Sequence, residues 1–188
     1  MPEDADALVL LHPKELGSGT LYAVDQFVLR GGRLLVFVDP HAESEQPGQG
    51  ADPTQVMFDD KSSDLPELFA AWGVRYDPQR VVLDAQRALD IQVQAGMPPV
   101  RHPGVIGLGG DDVNPEDVVT AQLGTVNLSS VGSFDLASDA RVTMEPLLQS
   151  SANSSTVDAE RLRFLPDPST LFADFNPGGE RHAIASTT

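Results

Sequence analysis

Cysteine is absent from the 188 residues. That absence removes disulfides, thiolate zinc sites and cysteine nucleophiles together, and it leaves the redox compartment open. Basic side chains are scarce: 12 Lys and Arg stand against 28 Asp and Glu, a formal net charge of −16. Phosphate backbones are held by clustered Lys and Arg, so nucleic acid is not expected as a partner. Charge-driven docking on an anionic lipid surface is disfavoured on the same ground, and a solvated acidic surface is the plain reading of the excess. No apolar run approaches the roughly 20 residues of a membrane-crossing helix. Met1-Pro2-Glu3-Asp4 is acidic where a signal peptide is basic.

Phosphate loops are missing as well. Neither G-x-G-x-x-G nor a Walker pattern occurs; "LGSGT" (16–20) lacks the lysine, and "GLGGDD" (107–112) runs into acids that repel phosphate and reads as a turn. There is no G-x-S-x-G elbow. The four histidines, His12, His41, His102 and His182, stand far apart with no H-x-x-x-H pair, so neither a transition metal nor any other cofactor is implied. The acids at Asp59, Asp60 and Asp64, and at Asp111, Asp112, Glu116 and Asp117, lack the D-x-[DN]-x-[DN]-G calcium pattern and read as solvated loops or helix starts.

What is present is local pattern. "DALVLLHP" (6–13) and "RLLVFVDP" (33–40) are continuous apolar runs closed by proline, as in strands covered on both faces of a parallel sheet. Between them Leu21, Val24, Phe27 and Val28 share one helical face, with Ser18 or Thr20 available as a cap and Gly31-Gly32 as the left-handed stop. The three elements make a βαβ unit. A long polar loop, 41–63, precedes a helix capped by Asp64, packed through Leu65, Leu68, Phe69 and Trp72, and stopped at Gly73; a strand then ends near Asp84. The remainder is strand-rich. Short strands break at Met97-Pro98-Pro99, a helical turn is expected at 115–119, a polar Ser/Asn loop at 150–155, a short helix at Pro168 and a closing strand near the C-terminus. Core elements lie close to both ends, which suggests a segment of a longer protein.

In an open parallel sheet, ligands sit beyond the carboxyl ends of the strands. Those ends carry His12 and Lys14 after the first strand and Asp39 and His41 after the second. Such a set suits ligand binding or acid/base work. It also suits a plain strand ending, with the Asp39 carboxylate on turn amides and His12 at a solvated rim.

The H-P-K-x-L run (12–16), the Tyr-Ala-x-Asp-Gln-Phe-Val-Leu helix (22–29), Gly31-Gly32, the V-F-V-D-P strand end (36–40) and the helix running into Trp72-Gly73-Val74 resemble the GldG-type, gliding-motility auxiliary components of ABC transport systems. The resemblance is tight over 6–84 and looser beyond, and Phe69 stands where that helix has a leucine. It implies a flavodoxin-like or glutamine-amidotransferase-like α/β fold, a mostly parallel sheet flanked by helices, in one domain over 1–188. It implies no enzymatic role, and the amidotransferase cysteine is not here to be inherited. It implies an extracytoplasmic domain of a cytoplasmic-membrane protein that accompanies permease and ATPase subunits. The ligand expected of such a domain is a partner subunit, a cell-envelope carbohydrate or a small solute. It carries over no ligand residues, so His12, Lys14, Asp39 and His41 rest on the strand-end rule alone. The alternatives are a hydrolase or transferase built around His12 and Asp39, and a purely structural module.

Overall fold

The computed structural model describes residues 5–45, 59–92, 96–163 and 168–188. It opens with the strand–helix–strand unit: β1 (Ala7–Leu11), α1 (Ser18–Leu29) and β2 (Arg33–Phe37). β1 and β2 pair in parallel, from Ala7 opposite Arg33 to Leu11 opposite Phe37. α1 buries Val24 and Phe27. Its start differs from expectation: Gly17 is the N-cap, and neither Ser18 nor Thr20 caps the first turn. Its end is the glycine stop. Gly31 takes φ 88°, where an L side chain is strained. Gly32 has a second reason to lack a side chain, since a Cβ there would lie 2.4 Å from the Phe27 ring.

α2 (Pro66–Trp72) starts from Leu65 and stops at left-handed Gly73, φ 74°. Asp64 is not the cap; its Oδ1 accepts the N–H of Leu65 at 2.7 Å. The expected helix face does pack. Leu65, Leu68 and Phe69 are buried with Val24, against Leu8, Leu10, Leu34 and Val36 on one side of the parallel pair. Each such buried side chain contributes about 1.5–3 kcal/mol.

Beyond α2 the flavodoxin-like or amidotransferase-like expectation fails. Among the described residues the parallel sheet has only two strands, β1 and β2. The following strands are β3 (Val74–Tyr76), β4 (Arg80–Asp84), β5 (Ala88–Ile91), β6 (Val100–Leu108), β7 (Val126–Ser129), β8 (Phe134–Leu136), β9 (Glu145–Gln149), β10 (Ser154–Asp158) and β11 (Ala183–Thr187). Their sheets run β3-β8-β11-β9, β4-β10 and β5-β6-β7, every pair antiparallel. Two short helices, α3 (Glu160–Arg163) and α4 (Pro168–Ala173), precede β11. Connection length gives part of the cause: a parallel neighbour needs a crossover of about a dozen residues or more, and only 77–79 separates β3 from β4, so these two cannot follow one another in a parallel sheet. β3 and β4 instead take partners from the C-terminal half. Burial gives a second reason: β1 and β2 alternate between half-buried and exposed residues, so the two-sided cover expected of them is absent among the described residues.

Two further cores fill the antiparallel part, one around Val81, Leu83, Ala159, Leu162 and Leu171 and one around Ile106, Leu108, Val113, Leu148 and Ile184. Between them lies a polar knot. Asp84 is fully buried. Its Oδ1 accepts from Gln86 N–H at 2.9 Å, Arg87 N–H at 3.0 Å and Ser151 Oγ at 2.7 Å, and its Oδ2 from Ser151 N–H at 2.6 Å. Ser150 and Ser154 join their hydroxyls at 2.8 Å. The expected polar Ser/Asn loop leads into β10 with Ser150, Ser151 and Ser154 buried and Ala152 and Asn153 exposed at its tip. Residues 115–117 are bends, and the expected helical turn is a single turn shifted to 117–121, closed by the Ala121 N–H on the Asp117 carbonyl at 2.8 Å; a 3-10 turn lies earlier, at Gly110–Asp112. Asp112 there is buried and held by Arg87 and Arg181, so it is no solvated loop acid.

Candidate functional site

β1 and β2 end side by side, and the four sequence-selected residues follow directly. His12 closes the ladder, its N–H donating to the Phe37 carbonyl at 2.9 Å. It then takes φ 48°, and Glu15 takes φ 47°. Left-handed backbone is uncommon for such residues, and it folds the 12–16 turn back across the strand ends. Pro13 and Pro40 are buried beneath that turn and the one after β2.

The expected loop at 41–63 falls partly outside the described residues. Its two described ends are tied together: Ala42 N–H donates to the Lys61 carbonyl at 2.9 Å, and Ser63 N–H to the Asp39 carbonyl at 2.9 Å. Asp64 N–H reaches the Pro13 carbonyl at 3.3 Å, fastening the same strip to the β1 end.

His12 and Lys14 do come together, on a residue that the sequence did not single out. Lys14 Nζ donates to both oxygens of Glu45 at 2.7 Å and to the Asp60 carbonyl at 2.8 Å. His12 Nε2 lies 3.2 Å from Glu45 Oε2. The Lys14 hydrogen bonds hold the Glu45 carboxyl below the usual glutamate range, with His12 adding to them against the cost of burial. Asp39 and His41 form a separate pair. His41 N–H donates to Asp39 Oδ1 at 2.8 Å, which closes an Asx turn, and Asp39 N–H donates to Ser63 Oγ at 2.9 Å. Burial pushes the Asp39 carboxyl up, opposed by the His41 amide and the nearby His12. His12 is thus hydrogen-bonded to Glu45 and not to Asp39.

One more acid ties the strand ends to the antiparallel part. Glu43 Oε1 accepts from Ser129 Oγ at 2.6 Å and Ser130 Oγ at 3.1 Å. Ser130 is buried and left-handed, φ 53°. Beneath the site Tyr76 packs edge-on to Phe69 and stacks on Phe134, and burial pushes its phenol up. The hydroxyls of Ser129 and Ser130 are spent on a carboxylate, and Ser63 accepts a backbone donor. None of them is bonded to His12, so these serines form no serine–histidine pair with it. No three His, Asp or Glu side chains among them converge as metal ligands.

Sequence reasoning missed Glu43 and Glu45 because both lie in a polar stretch with no periodicity. The available signal was chemical: Lys14, partly buried at a strand end, needs a counter-charge.

No described helix is long and apolar enough to cross a membrane. Compared with known families, the chain is matched over residues 1–188 by that of the ABC-type uncharacterized transport system, auxiliary component. No curated protein and no solved structure matches it.

Proposed function

The chain belongs to the auxiliary-component family of ABC-type uncharacterized transport systems, and on that premise we propose that it is a non-enzymatic, extracytoplasmic accessory domain of gliding-motility type. In this reading it works beside permease and ATPase subunits and binds a partner subunit, a cell-envelope carbohydrate or a small solute. The observation that carries the non-enzymatic part is the state of the strand-end charges. His12 and Lys14 both engage Glu45, and the Asp39 carboxylate is engaged by its own turn. A general base needs an acceptor turned toward substrate and a nucleophile within reach. The bonds here stiffen a surface instead.

Two measurements test the reading. A tagged chain is expected to co-purify with permease and ATPase subunits from solubilised membranes; its recovery without them would refute the accessory role. The cysteine-free sequence allows a single-thiol variant at Val118, which is 91% exposed. Labelling of Val118→Cys by an impermeant maleimide in intact cells is expected for an extracytoplasmic domain, and labelling only after permeabilisation contradicts it.

One observation favours a second reading, a hydrolase or transferase: left-handed His12, beside an acid whose carboxyl burial holds up. Strained residues gather at active sites. Turnover of an ester or phosphoester panel, lost in both His12→Ala and Asp39→Asn, would establish it in place of the first.

A further inference from the structure

Among the described residues, nothing packs over the other face of the parallel pair. Val9, Leu11, Leu35 and Phe37 are 51%, 70%, 46% and 56% exposed. The register sets Val9 beside Leu35 and Leu11 beside Phe37, so the four form one apolar stripe, opposite the face that packs on α1 and α2. Ala7 and Arg33 are the next pair along it, both exposed. Among the described residues neither strand has a second neighbour, so the outer edges of β1 and β2 keep unpaired backbone donors and acceptors.

The geometry points to this stripe and its edges as the docking surface for a subunit of the transport system, presenting a strand to the sheet edge and an apolar helix face to Val9, Leu11, Leu35 and Phe37. The inference rests on the accessory reading above. Three features select that occupant. An open strand edge is satisfied by another polypeptide backbone, which a solute or lipid cannot supply. A parallel pair is stable when both faces are covered, and the helix-bearing face is already filled. Charge then selects among polypeptides. Arg33 is exposed at the entry end of the stripe and Arg30 is exposed just before it at the end of α1, and among the described residues neither side chain has an ion-pair partner. In a chain of net charge −16 they mark a place for acidic groups of the partner. A second copy fits less well. It would bring another −16 with it, and like charge opposes self-association.

The test is binding of the purified chain to the purified permease–ATPase complex in nanodiscs, with four forms compared. Wild type is expected to bind. The double variant Leu11→Asp/Phe37→Asp should bind at least about tenfold more weakly. Arg30→Glu/Arg33→Glu should weaken binding and reduce its salt dependence. Val118→Asp, an equally exposed apolar site elsewhere, should leave it unchanged. All altered side chains are exposed, and retained Trp72 fluorescence checks the fold. Equal binding by the stripe variants places docking elsewhere and overturns this inference while the accessory reading stands. No binding by wild type overturns both. Self-association of wild type in sedimentation, lost in Leu11→Asp, makes the occupant a second copy and overturns the inference alone.

Discussion

Strands β1 and β4 carry similar sequences, ALVLL and RVVLD, and meet opposite fates. Every second residue of β1 is exposed, while Val81, Val82, Leu83 and Asp84 of β4 are completely buried. β4 has β10 alongside it, and Ala159, Leu162 and Leu171 close over Val81 and Leu83. β1 has β2 and one layer of helices. An apolar run therefore says that a strand forms, and neighbours distant in sequence decide how many of its faces are dry. The antiparallel region completes its own core. Among the described residues the parallel unit completes only half of one.

Truncation should break the symmetry between the two strands most sharply. Leu83→Ala is expected to cost about 2–5 kcal/mol, the range for emptying a closed core, whereas Leu11→Ala should stay within about 0.5 kcal/mol. Urea unfolding followed by far-ultraviolet circular dichroism measures both, and equal costs would abolish the distinction. Next in size is Asp84→Asn, which turns an amide N–H₂ toward donors that the carboxylate accepted. A loss of about 1–3 kcal/mol is expected, from donors left unsatisfied, and the same unfolding curves report it.

Acid should separate the regions by pH. Burial holds the imidazoles of His102 and His182 below their ordinary 6.5. The unfolded chain takes up protons that these folded groups refuse, so their contribution is full above 6.5 and is lost as pH falls toward the depressed values. In the parallel unit Glu45 is the group held low, against an ordinary 4.5. Its contribution is full above 4.5 and is lost as pH falls through the lowered value, while Asp39 and Asp64, whose carboxyls burial pushes up, oppose that loss by binding protons more readily in the fold. Trp72, the only tryptophan, donates to Asp25 at 3.1 Å and reports on the parallel unit. Circular dichroism should weaken first on acidification, with Trp72 fluorescence holding down to at least about pH 4.5. A His102→Asn variant should flatten the first phase. A small effect also belongs to Lys14→Ala. The pair it breaks is about a third exposed on each side, so the loss should be under about 1 kcal/mol and shrink further in salt.

The strand-end rule found His12 and Lys14 because it needs only the end of an apolar run. It could not find Glu45, 31 residues from Lys14, because loop geometry sets that distance. Asp39 was readable either as a site residue or as a turn acceptor, and its bond to the amide two residues on realises the second. The same limit governs the fold. α1, its glycine stop and the Leu65–Leu68–Phe69 face follow from spacing within a dozen residues. The partner of β4 does not, since Arg80 meets Asp158 across 78 positions.

Composition and short-range pattern alone determined the acidic, cysteine-free chemistry, the opening strand–helix–strand unit and the residues at its strand ends. Propensity, periodicity and glycine stops act within a few turns of chain, so they are written locally. Tertiary structure alone decided the antiparallel pairing of everything after α2, the burial of Asp84 and Asp112, the meeting of Lys14 with Glu45 and the bareness of Leu11 and Phe37. Each depends on which distant segment closes against which, and that is settled by the competition among all possible covers for the same apolar surface.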